Sequence, residues 1–223
     1  MNPTFLNSSI TRTSLADSVY ETLLEAILSG RLASGSELSE VTLAEQLEVS
    51  RTPVHEALRR LAADELVVIT TGRTARVAQL TRADVCEIYQ MRSALESLSA
   101  ERAATRITAE QLSELGSLLD ELMLPARPLD WTSRAIACDL HFHRQIAKAS
   151  DNARLQRDIH RYRLLVRGFC RMSGTSANLE AACREHRQIL AALQERDAAA
   201  ARRAMAEHIE ARLSVVLNEI ALS

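Results

Sequence analysis

From Thr81 to the end of the chain, no segment has apolar residues that alternate with a period of two. Apolar residues recur instead at spacings of three and four, which only a helix can gather onto one face. This pattern predicts helices near 82–105, 108–123, 131–150, 152–172, 177–196 and 198–221. Pro125 and Pro128 break the second from the third, and Gly174 breaks the fourth from the fifth. Aromatic residues make up 3%, and with 6 Gly and 4 Pro the chain is too poor in turn formers for an all-β fold.

The first eighty residues are patterned differently. Residues 1–13 read as a polar tail. Ser14 opens a helix with Asp17 at the capping-box position, Leu15, Val19, Leu23 and Ile27 form its stripe, and Gly30 stops it. Residues 29–36 read as a turn and 40–48 as a second helix. Ser50 is placed to cap a third helix, with Pro53 in its first turn and Val54, Ala57, Leu58 and Leu61 as its buried stripe. Residues 66–71 and 75–80 read as strands joined at Gly72-Arg73-Thr74. The expected organisation is a tail (1–13), a winged helix-turn-helix domain (14–80) and an all-helical domain (81–223), a mainly α protein.

The formal charge of −2 gives no general attraction to nucleic acid, so any DNA contact must come from a local patch. The third helix offers one. Arg51, His55 and Arg59 recur every four residues opposite its apolar stripe, and Thr52 sits at its start. Arg73 and Arg76 flank the hairpin. An ordinary solvated helix face has the same spacing, and periodicity alone does not separate the two readings.

The wording of residues 43–61, LAEQLEVSRTPVHEALRRL, followed by a hairpin, closely resembles the signature of GntR-family bacterial regulators. The resemblance covers about 14–80. It implies that Ser50, Arg51 and Thr52 contact operator DNA, with His55 and Arg59 on the same face and Gly72 and Arg73 in the wing. That family usually has Arg at the position of His55, and commonly Gly at those of Glu65 and Thr74.

The six histidines of the chain can be placed on helix faces. Asp139 and His143 share the face that carries Ile136 and Ile146, whereas His141 points the other way and is expected in solvent. His186 falls among Leu179, Cys183, Leu190 and Leu193, and His208 among Ala204, Met205 and Val215. One carboxylate and three imidazoles on three inner faces are costly to bury unpartnered. A divalent ion satisfies all four, with zinc foremost and nickel, iron or manganese as alternatives. The competing reading is that each histidine bonds to a core neighbour. The set, Asp-x3-His followed by two single histidines, also resembles the metal-binding FCD domains of FadR-type GntR regulators.

Arg92 lies near the stripe of Ile88 and Leu95. Its partner is either Glu96, one turn later, or the carboxylate of a bound effector; FCD domains often carry Arg here and commonly sense small organic acids. The expected function is therefore ligand-responsive transcription control, a repressor acting as a homodimer on operator DNA, not an enzyme. The rivals are a metalloenzyme on a helical bundle and a regulator sensing the metal itself. Four cysteines without CxxC pairing, no leader segment and no long apolar run lead to the expectation of reduced thiols, no membrane and a cytoplasmic location.

Overall fold

The computed structural model describes residues 14–70, 74–172 and 175–222, with the side chains of 168–172 and 220–222 left aside. Contacts divide the chain into two units, Met1–Gln79 and Leu80–Ser223. The fold is the expected one, a winged-helix unit followed by a helical bundle.

The first unit runs α1 (Leu15–Leu28), β1 (Glu37–Leu38), α2 (Glu40–Gln46), α3 (Arg51–Ala63), β2 (Val67–Ile69) and β3 (Ala75–Val77). Ser14 and Asp17 form the reciprocal capping box of α1, and Gly30, at φ +78°, takes the left-handed conformation just beyond its end. Ser50 is the N-cap residue of α3, but its hydroxyl makes no capping bond, contrary to expectation. Pro53 and the stripe Val54, Ala57, Leu58 and Leu61 are buried, and α3 packs on α1. Arg60 is tied to α1: Nη1 donates to Asp17 Oδ1 at 2.6 Å, and its guanidinium lies 4.2 Å over the Tyr20 ring. β2 and β3 pair antiparallel, Val68 opposite Arg76. The segment read as a turn and its sequel also yield β1, which pairs with β3 to give the order β1-β3-β2. Two residues are too few to show an alternating pattern, so this strand has no sequence signal.

The second unit contains α4 (Arg82–Ala104), α5 (Ala109–Leu122), α6 (Trp131–Ala149), α7 (Ala153–Met172), α8 (Ser176–Gln194) and α9 (Ala198–Leu222). Thr81 with Asp84 and Thr108 with Gln111 form capping boxes for α4 and α5. At the start of α7, Asn152 Oδ1 accepts from the Arg154 and Leu155 amides. α4 lies along α9 and also packs on α6, α7 and α8, so it is central to the bundle. Trp131 begins α6. It is buried, donates Nε1–H to the Leu122 carbonyl at 2.9 Å and carries the Arg127 guanidinium 4.5 Å over its ring. The loop after α5 is thereby fastened at both ends.

Candidate functional site

On α3 the polar face predicted from spacing is open to solvent: Ser50, Arg51, Thr52, His55 and Arg59 are all exposed. Glu40, the first residue of α2, reaches this face. Its Oε1 is 2.8 Å from His55 Nδ1 and its Oε2 is 3.6 Å from Arg51 Nη2. The His55 hydrogen bond outweighs the opposing effect of burial and holds the Glu40 carboxyl below its ordinary range. Arg76 does not stand free for DNA; its Nη2 donates to Glu37 Oε2 at 2.9 Å across the β1–β3 pair. Gly72 and Arg73, the wing-tip candidates, lie outside the described residues. Glu65 has φ +62°, which is the physical reason that glycine suits this position.

In the second unit α6, α8 and α9 bring Asp139, His143, His186 and His208 together. One donor atom from each lies within 4.8 Å of all the others. His143 Nε2 is 3.2 Å from both His208 Nε2 and His186 Nε2. Asp139 Oδ1 stands 3.5 Å from His186 Nε2 and 3.7 Å from His143 Nε2. The three imidazoles are buried, and Phe142 stacks on His186 with ring centroids 4.4 Å apart.

A ring of charged groups surrounds these four. His143 Nδ1 is 2.5 Å from Glu96 Oε2, and His208 Nδ1 is 2.7 Å from Glu185 Oε2. Arg92 Nε donates to Glu96 Oε1 at 2.8 Å, and Arg212 Nη2 to Glu185 Oε1 at 2.8 Å. Arg163 Nη2 donates to Asp139 Oδ2 at 2.6 Å, and its Nη1 is 3.4 Å from Glu96 Oε2. Burial opposes ionisation of Glu96 and Asp139. The guanidiniums of Arg92 and Arg163 in the first case, and of Arg163 in the second, override it and hold both carboxyls well below the usual range. Burial lowers all three imidazoles, strongly for His186 and His208, so the rings are neutral.

These protonation states test the site's fit to a cation. A carboxylate only accepts, so the Nδ1 proton of His208 is directed to Glu185; His143 Nδ1 lies close to Glu96 Oε2 without the alignment of a hydrogen bond. The His208 Nε2 lone pair then faces the cluster, 3.2 Å from His143 Nε2, which lies equally close to His186 Nε2. Nitrogens each about 2.0–2.1 Å from one tetrahedral zinc lie about 3.3 Å apart. Histidine held at its far nitrogen by a carboxylate is also the usual outer support of a metal ligand. The donor set fits a divalent ion.

One expectation needs correction. His141 is not simply solvated: it is partly buried in a groove between α5, α6 and α7, with Nε2 2.8 Å from Glu114 Oε1. It takes no part in the cluster. Of the two partners expected for Arg92, Glu96 is the one the structure contains. Arg92 still lines a cavity of about 60 Å³ together with Tyr89, Asp139, Arg163, His208 and Arg212. Sequence reasoning missed Arg163 and Glu185. Arg163 had a signal, since it stands one turn after Ile159 and two after Leu155 on the buried stripe of α7.

Comparisons with known proteins cover both units. Residues 15–77 match the model of "Bacterial regulatory proteins, gntR family", and residues 87–211 match the FCD domain model. Over 204 residues the chain is 32% identical to a probable D-xylose utilization operon transcriptional repressor of Paenarthrobacter nicotinovorans, spanning 92% of this chain and 89% of that one. It is 30% identical over 195 residues to the HTH-type transcriptional repressor RspR of Escherichia coli, spanning 86% and 84%. Among solved structures, E. coli McbR/YncC superimposes with a TM-score of 0.77 at 24% identity, over 94% of this chain and all of that one, a likeness of fold.

Proposed function

This chain belongs to the GntR family of bacterial transcriptional regulators with an FCD domain, and from that premise we propose that it is a repressor whose helical domain holds a divalent metal and a small organic acid. Regulators of this family bind operator DNA, and the relatives above are repressors. On this reading Ser50, Arg51, Thr52, His55 and Arg59 meet the duplex, with Gly72 and Arg73 in the wing. Two copies related by a two-fold axis would read matching half-sites.

The observation that carries the reading is the convergence of Asp139, His143, His186 and His208. These four would hold the ion, and zinc is the first expectation from the nitrogen-rich set. The ion would supply a fixed positive centre that attracts an anion. The balance of charge favours this. Glu96, Asp139 and Glu185, the last pushed up by burial, are met by Arg92, Arg163 and Arg212, Arg167 also lines the cavity, and burial lowers the imidazoles. A divalent ion therefore adds two uncompensated positive charges to a buried space, and a small carboxylate or dicarboxylate neutralises them. The adjacent cavity sets the size. At roughly 10–15 Å³ for each water, about 60 Å³ takes a few waters or a short acid.

Metal analysis tests the site. Purified protein should carry about one divalent ion per chain, retained in His141→Ala and loosened in His186→Ala. Equal loss in the two variants would refute the assignment. The effector is tested by thermal shift with a panel of small organic acids on metal-loaded protein, since a ligand of the native state raises the melting temperature. Stabilisation should require the metal and weaken in Arg92→Ala. Effector and operator should then change each other's affinity by the same factor, corresponding to about 1–3 kcal/mol.

A further inference from the structure

Glu40 is not part of the helix whose polar face is exposed. It comes from α2, fifteen residues from His55 in sequence, and yet it reaches two of that face's basic side chains, His55 and Arg51. The His55 side chain is 54% exposed and the Glu40 side chain 23%, so the pair sits at the solvent boundary. As the first residue of α2, Glu40 is at the positive end of a helix, where a negative charge is favoured. Its ionised carboxylate can only accept, so the proton of this contact is on His55 Nδ1. Nε2 occupies the far side of the ring and is turned away from Glu40.

We propose that Glu40 is a positioning residue for operator recognition, fixing the His55 imidazole so that Nε2–H is donated to the N7 edge of one purine in each half-site. The inference rests on α3 being the DNA-reading helix. The groups facing the ring are Glu40 from α2 and Arg51 one turn before it on α3, and Arg59 follows one turn later on the same face. The second oxygen of Glu40 stands 3.6 Å from Arg51 Nη2, so one carboxylate borders both side chains. A ring with a proton on each nitrogen donates one to Glu40 and the other to the major groove, where purine N7 is an acceptor. Without Glu40 the ring can rotate about both its side-chain torsions, and its hold on one base edge is lost.

The test is selection from a random-sequence duplex library with the full-length protein. Wild type should enrich a two-fold-related sequence containing a purine that His55→Ala no longer selects. Glu40→Ala should lose preference at that same base pair and no other, with discrimination there falling about two- to tenfold, the contribution of one hydrogen bond. Glu40→Gln, whose amide oxygen can still accept from Nδ1–H, should restore part of that preference. In the His55→Ala background, Glu40→Ala should change nothing further at that pair. Glu40 is at the solvent boundary, so the variants should stay folded at the assay temperature, with unfolding midpoints only slightly below wild type.

If wild type enriches a sequence and Glu40→Ala enriches it equally, the positioning role is overturned while DNA reading by α3 stands. Uniform weakening with unchanged preference, or a cytosine selected opposite His55, overturns it as well. Failure of wild type to enrich any sequence would overturn the DNA reading itself and this inference with it.

Discussion

Each unit of this protein contains a histidine whose Nδ1 lies beside a glutamate carboxylate, and the two pairs differ mainly in what surrounds them. His55 and Glu40 are 2.8 Å apart at 54% and 23% exposure; His143 and Glu96 are 2.5 Å apart at 0% and 2%. At the surface, water screens the pair and one side of the His55 ring stays open to solvent while Glu40 holds the other, which suits a face that must meet phosphates and bases. In the interior the same contact fixes the ring and its protonation state, which suits a ligand that must point one lone pair at one place. Solvent, and not pair chemistry, separates the two roles.

The largest expected effect tests that contrast. Glu96→Ala removes the one buried carboxylate that Arg92, Arg163 and His143 all meet, and should destabilise the protein by about 3–5 kcal/mol in urea unfolding. Glu40→Ala should cost no more than about 1 kcal/mol. Similar costs for the two would break the comparison. Next, Glu185→Gln leaves the fold in place but weakens the support of His208. Competition with a chelator should show metal affinity reduced by roughly 10–100-fold. No change would place Glu185 outside the supporting ring.

A smaller effect belongs to the first unit. Glu48 is exposed and holds φ +54°, a conformation that costs an L-residue about 1–2 kcal/mol. Glu48→Gly should raise stability by about 0.5–1 kcal/mol after the greater freedom of the unfolded glycine is counted. The counterpart in the second unit should behave oppositely. Arg196, at φ +58°, donates from Nη1 to the Ala104 and Ile107 carbonyls, so Arg196→Gly relieves strain but loses those bonds and should not gain. The smallest effect is one of pH. The backbone amide of Ser14, the Arg60 guanidinium and the Ser14 hydroxyl hold Asp17 below its ordinary 3.8. A depressed carboxyl stabilises the fold above the unfolded value, and this contribution disappears as pH falls through the folded one. Asp17→Asn should therefore lower the neutral plateau of a stability–pH curve slightly and flatten its acid limb below about pH 4, bringing variant and wild type together at low pH.

The helices were legible because each stripe is long and several boundaries carry their own chemistry: Ser14 with Asp17, Pro53 in a first turn, and Pro125 and Pro128 between α5 and α6. β1 was not, since its existence depends on pairing with β3 and not on its two residues. At the centre, the four candidate ligands stood out as polar residues on apolar faces. Their supporters did not. Glu185 is a glutamate beside a histidine on a charged helix, and only folding shows that it meets His208 from 23 residues away. Glu40 is invisible for the same reason: its importance comes from α3 lying beside it. Arg92 was read correctly as an interior cation, and its neighbour Glu96 is the partner, which pairwise spacing could suggest but not decide.

Trp131 fastens the start of α6, and it is the single tryptophan of the chain. The same helix carries Asp139 and His143 two and three turns further on. The emission of this indole is consequently a native optical probe of one helix. Its colour and quenching report on the polarity and the Arg127 contact at the α6 entrance, and no second indole in the DNA-binding unit adds background. An ion or acid that shifts α6 announces itself in an unlabelled fluorescence titration, whereas a change confined to α2 and α3 stays dark.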